Sequence, residues 1–145
     1  MSERAAAQPA GPSCPPLTWE RTYPGRPSQA SQMRTALRAF LTGCPTADDA
    51  ILLASELATN AITHSASGQP GGTFTIRAHI HDGAIHAQIE DQGSTWNGQI
   101  SAGRSPHGLY LLRHLSAACG TQRGQLGWIT WYTISPPATD SAPQQ

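Results

Sequence analysis

A layer of helices packed on one face of a mixed, mainly antiparallel sheet is the fold this sequence predicts, an α+β two-layer sandwich, and three observations predict it. Between residues 50 and 61 the apolar side chains Ala50, Leu53, Ala54, Leu57 and Ala61 recur at helical spacing. From Thr73 the period changes to two, with Phe74, Ile76, Ala78 and Ile80 alternating with Thr75, Arg77, His79 and His81. Asp82-Gly83 then supplies the dipeptide of a two-residue hairpin, and counting outward pairs Ile80 with Ile85, Ala78 with Ala87 and Ile76 with Ile89. That register lays one apolar face across both strands, and the helices need such a face to pack on.

The other elements follow in order. Residues 1–16 hold Ala, Pro, Gly, Ser and Gln without periodicity and are expected to be a disordered arm. Residues 17–23 mix Thr, Trp and Tyr and stop at Pro24, which suits a short edge strand. A helix starts at Pro27-Ser28 with Ser28 as its cap, buries Met33, Leu37, Phe40 and Leu41, and ends at Gly43-Cys44-Pro45. Thr46 and Asp49 resemble a capping box for the next helix, which runs to Ser65 and is closed by a loop over residues 67–72. The second hairpin strand runs out at Glu90-Asp91-Gln92-Gly93-Ser94, where glycine permits an unusual backbone turn. Residues 96–106 show no steady period and read as a loop. Residues 108–119 predict a helix on Leu109, Leu112 and Cys119, widened by Leu111, Leu115 and Ala118, with Gly120 as terminator. An aromatic and β-branched hairpin over residues 121–134, turning near Gly124 to Gly127, completes a domain of residues 17–135; residues 136–145 form a tail.

At 145 residues the chain holds one domain with a core of its own. Zero net charge and a pI near 7.0 give no electrostatic footprint for nucleic acid or an anionic membrane. All nine basic residues are arginine, so a phosphate would be met by Arg, His, backbone N–H groups or a metal. Cys14, Cys44 and Cys119 are an odd number without C-x-x-C spacing, which fits a reducing interior better than a disulfide scaffold or a zinc framework. No apolar run approaches a membrane span, and residues 1–16 lack the apolar core of a signal peptide, so the expected location is cytoplasmic.

The helix over residues 51–65 carries chemistry on its other side, where Ser55, Glu56, Thr59, Asn60 and Thr63 fall together. Glu56 and Asn60 are one turn apart; a carboxylate takes a proton, and a neutral amide oxygen ligates a hard cation without adding charge. Taken singly, each feature has a plain structural reading: a solvated helix face, a turn aspartate at Asp91, a loop glycine at Gly108. His79 lies across from His86 on the polar face of the hairpin, a metal pair or a solvated face. His64 either lines a pocket or stabilises a helix end. Tyr110 and the Trp128, Trp131 and Tyr132 cluster read as core and sheet packing.

Three segments in order, ELATNA at residues 56–61, EDQGS at 90–94 and SPHGLYLL at 105–112, resemble the ATP-binding fold of the GHKL superfamily. Within it the chain is most similar to the small anti-sigma-factor serine/threonine kinases and related actinobacterial ATP-binding regulators. The phrases GCPTADDAILLASEL and HSASGQPGGTF share that likeness. The resemblance implies that Asn60 holds a Mg2+ bridging the phosphates of ATP and that Glu56 is the general base. It implies that Asp91 accepts from the adenine amino group and that Gly93 lets the base approach. His107, Gly108 and Leu109 would open a helix whose N–H groups face the phosphates, with Arg104 meeting the γ-phosphate from the lid. The implied partners are a sigma factor and a STAS-type anti-anti-sigma protein that receives the phosphoryl group, with no direct nucleic acid or membrane contact and a homodimer as one allowed assembly.

The chain departs from the pattern in three places. Pro106 replaces the first glycine of the family's G-x-G-L box and removes an N–H, and the lid over residues 92–106 is short. Ile129 stands where the family has a threonine supporting the adenine-binding aspartate, and strand alternation is expected to turn Thr130 to the opposite face. These departures define a second reading, a non-catalytic nucleotide-sensing or protein-binding regulator with a degenerate ATP pocket.

Overall fold

The computed structural model describes residues 17–93 and 106–137, with side chains in the latter stretch from residue 110 onward. The elements are β1 (Leu17–Pro24), α1 (Pro27–Phe40), α2 (Ala47–His64), β2 (Thr73–His81), β3 (Ala84–Glu90), α3 (Pro106–Leu115), β4 (Ala118–Arg123) and β5 (Trp128–Ile134). Among these residues the strands form one sheet in the order β1-β2-β3-β5-β4 with every neighbouring pair antiparallel.

The hairpin register is the one the alternation predicts: Ile80 faces Ile85, Ala78 faces Ala87 and Ile76 faces Ile89. Asp82 and Gly83 take positive φ, 51° and 81°, as a type I′ turn requires. β5 continues the apolar face, pairing Ile134 with Ile85 and Tyr132 with Ala87. α2 lies on that face and buries Ala50, Ile51, Leu53, Ala54, Leu57, Ala58 and Ala61. α1 packs beside it through Ala30, Met33 and Leu37, and Trp19 of β1 stacks on Phe40 with ring centres 5.8 Å apart.

One polar bond ties the layers. The Tyr132 hydroxyl, fully buried, donates to the Ala50 carbonyl at 2.7 Å, and burial pushes the phenol's pKa far above its ordinary value. Tyr132→Phe keeps the ring and removes the bond, so it should cost about 1–2 kcal/mol and lower Tm by several degrees, read by thermal unfolding. An unchanged Tm would mean that this bond contributes nothing.

Several expectations are corrected. Arg26, not Ser28, caps α1: Pro27 presets helical φ one residue earlier, and the Arg26 carbonyl already accepts from the Gln29 and Ala30 N–H groups. Thr46 is the cap residue of α2, but at φ −102° and ψ 20° its side chain makes no capping bond. The third helix stops at Leu115, because Ala117 N–H bonds to the Thr133 carbonyl at 2.7 Å and draws residues 118–123 into the sheet. Gly120 is therefore a strand residue opposite Trp131, where a Cβ would come within 2.9 Å of the indole. Tyr110 is not packed in the core; it is 57% exposed and stacks on His114. Cys119 is a free thiol. No helix among the described residues is long and apolar enough to cross a membrane.

Candidate functional site

The polar side of α2 is half-sheltered. Glu56 and Asn60 are partly buried, whereas Thr59, Thr63 and His64 are exposed. The Asn60 amide nitrogen and the Ser55 hydroxyl are buried without a hydrogen-bond partner. A buried donor left in that state costs about 1–3 kcal/mol. α2 thus carries a polar group with no partner among the described residues, one turn from a carboxylate.

The end of α2 is stitched to the segment after β3. Beyond Ser65 the chain makes one 3-10 turn, Ala66–Gly68, and Ala66 N–H donates to the Gly93 carbonyl at 2.6 Å. Gln92 N–H donates to the Ser67 hydroxyl at 3.0 Å, and Thr73 N–H donates to the Gln92 side chain at 3.0 Å. Ser67 is wholly buried. Asn60 lies one helical turn, about 6 Å of rise, before the end of α2 at His64, so the amide and the 91–93 segment are held on one framework. Sequence reasoning treated residues 67–72 as a closing loop and missed the Ser67 clamp.

Asp91 is fixed by backbone N–H groups. Its carboxylate accepts from Gly93 N–H at 2.7 Å and from Trp128 N–H at 3.4 Å, while Asp91 N–H donates to the Trp128 carbonyl. Gly93 sits at φ +74°, the turn expected of it, and a side chain there would be strained. Thr130 departs from expectation. It pairs with Ile89 and is buried on the helix-facing side of the sheet. Extending β3 by its two-residue alternation puts Asp91 on that same side, so Thr130 shares its face and Ile129 takes the outer one.

On the outer face the neighbouring carboxylate acts as a brace. Glu90 is only 4% exposed; one oxygen lies 3.1 Å from Arg77 and the other accepts from Leu126 N–H at 3.0 Å. Glu20 holds the other side of Arg77 at 3.3 Å. The β4–β5 turn is thereby pinned beneath Asp91, and Gly127 fits so closely that a Cβ would meet the Asp91 carbonyl at 2.4 Å.

Of the remaining site residues, Arg104 and the lid lie outside the described residues, as do the side chains of His107 and Leu109. α3 begins at Pro106, so Gly108 lies in its first turn rather than at its start. Pro106 occupies the position where a missing N–H does least harm to the helix.

This arrangement of two helices over a five-stranded antiparallel sheet, with a third helix inserted before the last hairpin, defines a two-layer α+β domain. The chain belongs to the histidine kinase-like ATPase domain family, whose sequence model matches residues 23–134. It is 32% identical over 75 residues to an anti-sigma F factor of Geobacillus stearothermophilus, a match covering 49% of this chain and 51% of that protein. The chain thus spans about half the length of that curated relative. In structure it is similar to the crystal structure of the RsbU and RsbW domains of a Mycobacterium tuberculosis protein, with a TM-score of 0.62 and 21% identity. That match covers 89% of this chain and 35% of the other, and it shows a shared fold.

Proposed function

We propose that the chain binds Mg-ATP and acts in the cytoplasm as an anti-sigma-factor serine/threonine kinase, phosphorylating a STAS-type anti-anti-sigma partner and sequestering a sigma factor. The carrying observation is the buried Asn60 amide without a partner among the described residues, one helical turn from Glu56 and stitched through Ser67 to the 91–93 segment. The residues present fit the group. An asparagine oxygen suits a hard cation, and its NH2 would donate to a phosphate oxygen, which removes the orphan. Asp91, held by backbone N–H groups, is an acceptor for the adenine amino group, and Thr130 lies on its side of the sheet. The Mg2+ would neutralise phosphate charge; Glu56 would accept the proton of the attacking serine hydroxyl. The likeness to an anti-sigma F factor supports the sigma-factor partner.

A second reading, a regulator that holds nucleotide without transferring phosphate, is favoured by Pro106 at the start of α3, which subtracts one N–H from the phosphate-facing end. Incubation with labelled ATP and a STAS partner separates the two. Label on the partner, lowered roughly 10²–10⁴-fold in Glu56→Ala and absent in Asn60→Ala, supports the kinase. Nucleotide binding without label identifies the sensor, and the absence of nucleotide binding removes the kinase and leaves the protein-binding regulator with a degenerate pocket.

A further inference from the structure

We propose that the sheet face opposite the helices carries a second site, a two-histidine site for a divalent transition metal of the zinc and nickel class, formed by His79 and His86. The two residues are direct partners across β2 and β3, and their rings lie 5.3 Å apart between centres, tilted by 39°. Two imidazoles bound to one tetrahedral ion at about 2.0–2.1 Å place their ring centres about 5 Å apart. The resting geometry is therefore close to that of a chelate.

The second ring is already oriented. His86 Nδ1 lies 3.0 Å from the Thr133 hydroxyl, and Trp131 stacks on the ring at 5.9 Å. A metal-binding histidine ordinarily has its other ring nitrogen hydrogen-bonded to an oxygen, and a contact of this kind fixes the ring's orientation.

The pair opens on a cleft of about 470 Å³ lined also by Thr18, Glu20, Arg77 and Gln88. Arg77 is ion-paired with Glu20 and Glu90, so its charge is offset where a cation would approach. Among the described residues no group of three or more His, Cys, Asp and Glu converges, so water completes the coordination. A donor set of two imidazoles selects Zn2+, Ni2+ or Cu2+ over Mg2+ and Ca2+. The site is thus chemically separate from the magnesium proposed at Asn60, on the other side of the sheet.

The test is calorimetric titration of the tag-free full chain with Ni2+ and with Zn2+ in excess Mg2+. One saturable site is expected, weakened at least tenfold by His79→Ala or His86→Ala and about tenfold by Thr133→Val. Histidine-ring NMR of the unmodified chain should show the His79 and His86 resonances shifting together on metal addition. No saturation below millimolar metal, equal binding by the His79→Ala/His86→Ala double variant, or shifts confined to other histidines would each overturn the proposal.

Discussion

Gly25→Ala is expected to unfold this protein partly or wholly, although it adds one methyl group and requires no forbidden φ. An alanine Cβ at residue 25 would stand 1.8 Å from the Ser67 carbonyl oxygen and 2.6 Å from its carbon, both backbone atoms. The Ser67 turn has nowhere to retreat. Gly72 presses on the same carbonyl from another side, with a virtual Cβ at 2.2 Å, and Gly68 abuts the Ile62 carbonyl at 1.8 Å. The turn also holds Gln92 and Gly93 by hydrogen bonds. Overpacking of this kind costs typically 1–3 kcal/mol and more where backbone must move. An expected loss of about 3 kcal/mol is a large part of the 5–15 kcal/mol that holds a domain together. Gly43→Ala is the control: φ is +90° there, but nothing lies within 4 Å, so only the left-handed penalty of about 1 kcal/mol applies. Chemical denaturation of both variants gives the comparison. Equal midpoints would show that the Ser67 turn is not the rigid centre its packing implies.

That contrast also marks what the sequence could carry. The β2–β3 register was legible because a strict alternation and an Asp-Gly turn leave one solution, and Ile76, Ala78 and Ile80 met their partners as counted. α2 was legible because its apolar stripe fills a helical period from Ala50 to Ala61. Residues 118–120 were not, since Ala-Cys-Gly has no period of its own and its fate was decided by the edge that β5 offers. Thr130 was misplaced for a related reason: its face depends on where β5 pairs with β3, a long-range fact that local spacing does not encode. The Ser67 clamp escaped because a hydroxyl that accepts from Gln92, twenty-five residues on, leaves no local pattern. The roles of Glu56, Asn60 and Asp91 came from resemblance, and what the fold adds is the brace around them.

Asp91→Asn should separate that brace from recognition of the base. The Asp91 carboxylate accepts from Gly93 N–H at 2.7 Å within the protein, and it would accept from the adenine amino group in the complex. An asparagine keeps one oxygen for Gly93 and replaces the other with an NH2. Stability should therefore change by less than about 1 kcal/mol, because the internal bond survives in a weaker neutral form. Adenine binding fares differently, since two donors would now face each other in a sheltered pocket. A lost bond plus a stranded polar group costs about 1.5–3 kcal/mol, or roughly a 10- to 150-fold rise in Kd for ATP. The same exchange should erode preference for adenine, since the amide can accept or donate and no longer rejects a base carrying a carbonyl. Fluorescent-nucleotide titration with ATP and GTP, alongside thermal unfolding, tests both halves. ATP affinity preserved in a folded Asp91→Asn protein would place the base elsewhere, and the Asn60 amide would then need a different ligand to account for its burial.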